Sequence, residues 1–190
     1  MAHPGLSGVK PVVLILAAGR GERFRAAGGQ TDKLHAPLST AHGTRTVLEH
    51  VIEAARTSGL PWHVVTPDAT AHHSEQGMGT SIATGVAATP DAHGWLILPG
   101  DLPLIQPSSL QAVAQALRQH ATVVPVVDGQ RGHPVGFAAS CRHALLALRG
   151  DQGARSVLVQ HPPHALVLHD AGCTLDVDTP ELLQKAQSLA

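Results

Sequence analysis

Four stretches of the chain are continuous apolar runs: Val12 to Leu16, Trp62 to Val65, Trp95 to Leu98 and Val123 to Val127. A run without in/out alternation predicts a strand covered on both faces, as in a mainly parallel sheet. Between these runs the apolar period becomes helical. Thr46 to Arg56 carries Val47, Val51, Ile52 and Ala55 at helical spacing, and Gly59 then stops it. Ser81 to Ala88 is Ala-rich, and Pro107 to Gln119 puts Leu110, Val113, Ala114 and Leu117 on one face. Thr179 is placed to cap a last helix with Pro180 at its first position, docked by Leu182 and Leu183. Strands alternating with helices predict a layered α/β fold with right-handed crossovers. The 190 residues suit one domain, with Met1 to Lys10, rich in Gly, Pro and His, as a flexible lead.

In such sheets ligands bind beyond the carboxyl ends of the strands. Polar and Gly-rich segments follow the predicted strands directly, so they hold the candidate chemistry. The first is Leu16-Ala17-Ala18-Gly19-Arg20-Gly21-Glu22-Arg23-Phe24. Small residues there let backbone N–H groups approach a phosphate, a helix start adds positive dipole, and Arg20 and Arg23 can offset phosphate charge. It is not a Walker loop, because no Lys-Ser/Thr follows at the required spacing. Nor is it a full dinucleotide fingerprint, because Phe24 stands where the third Gly belongs. Asp32-Lys33-Leu34 offers a Lys that could reach the same phosphates. In Leu98-Pro99-Gly100-Asp101-Leu102-Pro103 a hard carboxylate stands just past a strand, suited to Mg²⁺ or to capping the next turn. Asp176 and Asp178 are two residues apart on an extended segment and can face one site, or Asp178 can cap the last helix.

Composition narrows the field. Hydrophobic residues are 43% of the chain, so it is not a disordered one. Aromatics are only 2%, with no Tyr, which predicts a core of Ala, Val, Leu and Ile and little surface for base stacking. The formal net charge is -1, so no basic excess points to nucleic acid. The 14 His are scattered apart from His72-His73, and no Cys/His set has zinc spacing. Cys141 and Cys173 are too few for a disulfide framework and read as free thiols of a reducing cytoplasm. No signal peptide is visible, and the apolar run from Val12 to Ala18 is too short to span a bilayer.

Six segments then occur in order: Leu16-Ala17-Ala18-Gly19-x-Gly21-x-Arg23, Asp32-Lys33-Leu34, Gly100-Asp101-Leu102-Pro103, Gly132-His133-Pro134-Val135-Gly136-Phe137, Gly150-Asp151-x-Gly153-Ala154-Arg155 and Asp176-Val177-Asp178-Thr179-Pro180-Glu181. Together, from about Val12 to Leu183, they resemble the MobA-like NTP-transferase family. The Gly-His-Pro-Val and Gly-Asp-x-Gly-Ala-Arg segments are most similar to its molybdenum cofactor cytidylyltransferase branch. The resemblance implies a Rossmann-like, GT-A-type fold and Mg²⁺-dependent transfer of NMP from an NTP to an acceptor phosphate, with release of pyrophosphate. It implies CTP as donor and molybdopterin as acceptor, with a molybdoenzyme as recipient of the product. By resemblance, Leu16, Ala17, Ala18, Gly19, Arg20 and Gly21 wrap the triphosphate, with Gly100 also at the nucleotide. Arg23 and Lys33 offset charge on the phosphates, and Asp101 and Asp178 hold Mg²⁺. Thr66, Gly77, Gly79 and Ser81 sit near the base, while Gly132, His133, Pro134, Asp151 and Arg155 line the acceptor pocket.

Two features depart from the family pattern. Ala26-Ala27-Gly28-Gly29-Gln30-Thr31 lengthens the link between Arg23 and Lys33, so the cost of Lys33→Ala depends on whether the link carries Lys33 away. The turn Gly77-Met78-Gly79-Thr80-Ser81 differs from the Ser-rich version of the cytidylyltransferase branch. Alternatives are a guanylyltransferase of the same pathway, a sugar-phosphate nucleotidyltransferase, and a carrier that binds nucleotide or cofactor without catalysis.

Overall fold

The computed structural model describes residues 10–19, 21–29, 31–40, 43–71 and 75–190. The expected flexible lead up to Lys10, the loop residue Arg20 and the pair His72-His73 lie outside the described residues, apart from Lys10 itself.

The chain runs β1 (Val12–Leu16), α1 (Glu22–Ala26), β2 (Pro37–Thr40), β3 (Gly43–Thr46), α2 (Val47–Thr57), β4 (Trp62–Val65), α3 (Pro67–Thr70), α4 (Met78–Ala88), β5 (Gly94–Pro99), α5 (Pro107–Ala116), β6 (Thr122–Val127), β7 (Gln130–Arg131), β8 (Val135–Ala138), α6 (Arg142–Leu146), α7 (Arg155–Gln160), β9 (His164–Val167) and α8 (Pro180–Leu189). All four predicted strands are present. β1 lies between β4 and β5, parallel to both. β8 is antiparallel to β5 and to β6, and β9 is parallel to β6. Val126 pairs with Arg131 of β7 on one side and Val167 of β9 on the other, so β7 and β8 share one side of β6. β4, β1, β5, β6 and β9 therefore run one way, and only β7 and β8 run back. The fold is α/β, with a mainly parallel central sheet flanked by helices.

Alternation of helices on the two faces accounts for the uninterrupted apolar runs of β1, β5 and β6. Val13, Ile15, Leu96 and Leu98 face a cluster with Val51, Ala55, Leu110 and Val113 of α2 and α5. Leu14, Trp95 and Ile97 face the other way, onto Ile82 and Val86 of α4 and Leu145 of α6. β4 is the exception. It is an edge strand, and Trp62 is 42% exposed, so an apolar run there does not mean double coverage.

The core is not purely aliphatic. Trp95 and Phe137 are fully buried, and they are register partners across β5 and β8. The Trp95 indole N–H donates to Thr89 Oγ1 at 2.9 Å, which satisfies its one polar group. Trp95→Ala is expected to cost about 3–5 kcal/mol of stability, because it opens a cavity between two packed layers. Chemical denaturation measures this, and a loss under about 1 kcal/mol would remove Trp95 from the core.

Helix ends follow local chemistry where caps are present. Thr46 and Glu49 form a reciprocal capping box at α2, and the Thr179 side chain accepts from Leu182 N at α8, as the sequence predicts. α4 begins at Met78, three residues before the Ala-rich stretch suggested. The reason is tertiary: Gly79 N donates to the Gly150 carbonyl at 2.7 Å, and Gly150 N donates to Thr80 Oγ1 at 3.0 Å. A Cβ on Gly79 would stand 2.7 Å from the Arg149 carbonyl oxygen. α5 ends at Ala116, and residues to His120 tighten into turns. No helix among the described residues is long and apolar enough to cross a membrane.

Candidate active site

The carboxyl ends of β1 and β5 meet at one edge of the sheet. There Gly100 N donates to the Leu16 carbonyl at 3.0 Å, and a Cβ on Gly100 would stand 3.0 Å from the same oxygen. This contact sets Asp101 beside the loop that leaves β1. The segment before α8 returns to the same place, because Val177 N donates to the Asp101 carbonyl at 2.9 Å. Two carboxylates far apart in sequence, Asp101 and Asp178, are thereby brought together.

Lys33 joins them. Its Nζ donates to Asp101 Oδ2 at 2.6 Å and to Asp178 Oδ1 at 2.7 Å. Arg23 donates to the other Asp178 oxygen, Oδ2, at 3.0 Å. The lengthened link has therefore not carried Lys33 away. After α1 the chain folds back on Phe24: Gly29 N donates to the Phe24 carbonyl at 3.0 Å, and a Cβ on Gly29 would enter the Phe24 ring. Gly28, at φ +91°, supports this turn. The returning chain then passes close to Gly21, whose added Cβ would lie 3.6 Å from Lys33 Cγ. Asp32 Oδ1 accepts from Leu34 N at 3.0 Å and starts the short turn Lys33–His35.

Burial pulls the Lys33 ammonium down, but Asp101 and then Asp178 outweigh it, so its pKa lies above the ordinary lysine value. Burial likewise pushes the Asp178 carboxyl up, and Lys33 and Arg23 outweigh it, so it lies below the ordinary aspartate value. Both groups are charged at neutral pH.

These side chains floor a cavity of about 750 Å³. Of the residues singled out in the sequence, Leu16, Ala18, Gly19, Gly21, Arg23, Lys33, Gly77, Ser81, Gly100, Asp101, Asp151 and Asp178 line it. Ala17 lies behind the wall, buried, with its N–H on the Val65 carbonyl. Gly79 is also behind the wall, where it seats the Gly150 loop. Thr66 is exposed at the start of α3 and does not reach the cavity. α1 has only five residues, so it adds little dipole to the Gly19–Gly21 loop.

The segments expected at the acceptor are divided. Asp151 faces the cavity across Gly77, where an added Cβ would collide with its carboxylate. Arg155 is exposed on α7, outside the cavity. Gly132, His133 and Pro134 do not line the cavity; they lie beside Asp101 as the lead-in to β8, where Val135 pairs with Ile97. His133 N donates to the Cys173 carbonyl at 2.8 Å, and a Cβ on Gly132 would stand 2.5 Å from that oxygen. Burial holds the His133 imidazole below its usual range, against the Ile97 carbonyl and the Asp101 and Asp176 carboxylates. His133 is therefore neutral near pH 7.

Sequence reasoning passed over Asp170, a carboxylate 4% exposed. It accepts from Ser109 Oγ at 2.6 Å, Gln106 N at 2.9 Å and Gly172 N at 2.9 Å. It thus pins the turn Ala171–Cys173 to α5, and that turn carries the carbonyl on which His133 rests. Met78 and Gln76, in the turn that the resemblance sets against the base, also line the cavity. Burial, and next to it the Asp170 charge, push the Cys173 thiol up to about 12; Cys141 and Cys173 are both free and buried.

The donor set suits a hard divalent ion that shares its shell with substrate. Asp101 Oδ1 is buried without a hydrogen-bonding partner, although Oδ2 is engaged by Lys33. Among the described residues no group of three or more His, Cys, Asp or Glu gathers as a metal cluster. Two carboxylates with phosphate and water oxygens fit Mg²⁺, which rarely takes an all-protein cage.

Comparison with known proteins agrees with this geometry. The model of the MobA-like NTP transferase domain matches residues 13–165. The purine catabolism protein PucB of Bacillus subtilis is 32% identical over 95% of this chain and 95% of its own. The molybdenum cofactor cytidylyltransferase of Escherichia coli is 26% identical over 56% of this chain and 54% of its own. Among solved structures, Rv0371c of Mycobacterium tuberculosis superposes with a TM-score of 0.73 at 22% identity, covering 94% of this chain and 98% of its own. Rv0371c has also been solved in complex with manganese. Fold, cavity and family model converge: the chain belongs to the MobA-like NTP transferase family and is a nucleotidyltransferase.

Proposed function

We propose that the chain transfers CMP from CTP to the phosphate of molybdopterin, with release of pyrophosphate. The observation that carries this reading is the junction of Asp101, Lys33, Asp178 and Arg23 on the floor of a cavity edged by a small-residue loop. The choice of CTP and molybdopterin is supported by the likeness to the Escherichia coli cytidylyltransferase and by the Gly132-His133-Pro134-Val135 segment.

The acceptor needs no activated side chain, since its phosphate oxygen is already ionised at neutral pH. That oxygen forms a bond to the α-phosphorus, and the bond to the bridging oxygen breaks. The electron pair leaves with pyrophosphate, so no proton need move. Positioning and charge neutralisation are what the protein contributes. Backbone N–H groups of Gly19 and Gly21 border the triphosphate. Lys33 and Arg23 offset charge on the departing pyrophosphate. Asp101 and Asp178 would hold Mg²⁺, which polarises the α-phosphate when bound. The neutral imidazole of His133 gives its one N–H to the Ile97 carbonyl, so its second ring nitrogen, Nδ1, which has no partner, can only accept.

The test is pyrophosphate release with CTP, GTP, UTP and ATP, with Mg²⁺, with and without molybdopterin. Release from CTP only when molybdopterin is present is the expected result. Binding without release from any of the four sinks the proposal. The longer match to PucB favours a second reading, in which the same transfer uses another base or acceptor; release from GTP instead of CTP would select it.

A further inference from the structure

We propose that Lys33 is the resident counter-ion of the two-carboxylate site, and that a divalent cation takes its place only when nucleotide draws the ammonium away. The inference rests on the reading of the site given above.

One ammonium spans both carboxylates, 2.6 Å from Asp101 Oδ2 and 2.7 Å from Asp178 Oδ1. Its side chain is 14% exposed, so water screens these contacts little. Arg23 holds the second Asp178 oxygen. Three of the four carboxylate oxygens are thus engaged by the protein's own cations, and only Asp101 Oδ1, buried, has no partner. Two carboxylates facing two cations leave these four groups without net charge. A dication entering alone would have to share oxygens with Lys33 at short range, in surroundings of low dielectric.

A triphosphate changes both sides of that balance. It brings several negative charges, and its oxygens give Lys33 new partners. The lysine stem passes close to Gly21, where an added Cβ would lie 3.6 Å from Lys33 Cγ, on the loop proposed to border the phosphates. Rotation of its outer bonds alone can move the ammonium from carboxylate to phosphate, which a compact charge on a flexible stem allows. The two carboxylates are then free for the cation. Metal and nucleotide affinities become linked, and the link is reciprocal.

Mn²⁺ is the probe, titrated into the full chain without nucleotide and followed by the electron paramagnetic resonance of the free ion. Lys33→Met keeps the stem and removes the charge. It is expected to bind Mn²⁺ more tightly than the unaltered protein by about tenfold or more. Arg23→Met is expected to change the affinity less, because Arg23 is 84% exposed and reaches Asp178 alone. A CTP analogue with a methylene between the α- and β-phosphorus should tighten Mn²⁺ binding to the unaltered protein, and by a smaller factor in Lys33→Met. Circular dichroism checks the fold, and Lys33→Gln stands in if the Met variant does not fold. Mn²⁺ affinity equal to or below that of the unaltered protein in a folded Lys33 variant overturns the proposal. The comparison without nucleotide does not depend on catalysis. Failure of the transfer reading shows separately, as absence of pyrophosphate release.

Discussion

Asp101→Asn should lower the rate of nucleotidyl transfer by about a thousandfold or more while leaving the fold intact. The amide keeps the size of the carboxylate and an oxygen for Lys33. It loses the charge that would hold a divalent ion and the balance against the ammonium. The backbone contacts that build the site are untouched, because they run through the Asp101 carbonyl and the Val177 N–H. The amide oxygen can still accept from Lys33, so stability should change by only about 1 kcal/mol. Steady-state rates with saturating Mg²⁺, together with a denaturation curve, separate the two effects. A large fall in stability with near-normal turnover would make Asp101 a structural cap and remove it from the chemistry.

Lys33→Ala is expected to rank beside it. If the long link held Lys33 away from the site, its loss would matter less than that of either carboxylate. Instead Lys33 makes the central contact, and its removal deletes the charge proposed to meet the leaving pyrophosphate. A fall of about a hundredfold or more in kcat/KM is expected, with KM for the nucleotide raised as well. Stability should also drop, by about 1–3 kcal/mol, because Asp101 and Asp178 are left facing each other without the cation between them. The sign with pH follows from Asp178. Its carboxyl is held below the ordinary value, so its contribution is present above the unfolded pKa and is lost as pH falls through the folded one. In Lys33→Ala that acid-sensitive part of the stability curve should flatten. Unchanged kcat/KM would mean that Lys33 serves only to hold two segments together.

Much of the fold can be read from residues 12–16, 62–65, 95–98 and 123–127, since a buried parallel strand leaves a one-dimensional trace. The short strands could not be read the same way. β7 has two residues, and β8 has only the adjacent buried pair Gly136 and Phe137 between half-buried ends, too little for a pattern. Among the site residues, Asp101 and Gly100 were legible because a carboxylate just after a buried run has few structural reasons to be there. Lys33 was legible as a candidate, but its position was not. Whether a link of Gly and Ala reaches or retreats depends on its packing against Phe24, a tertiary contact. Asp170 left no trace because its partners, Ser109 and Gln106, lie on another element far back in the sequence.

The reversal of β8 has a consequence for how such a site can change. A parallel strand presents to the ligand edge the residues that follow it, and those residues must also begin a helical crossover. An antiparallel strand presents the residues that precede it. Gly132-His133-Pro134 therefore reaches the edge beside Asp101 as the lead-in to β8, while the chain after Ala138 departs at the opposite edge. The segment is joined to no crossover helix; it follows the short hairpin of β6 and β7 and rests on the Cys173 carbonyl. It can vary with little disturbance to the strands that hold Gly19 and Asp101, provided the Cys173 contact, where Gly132 has no room for a Cβ, is kept. A scaffold of this kind lets the flank beside Asp101 diversify while the charged floor of the cavity stays constant.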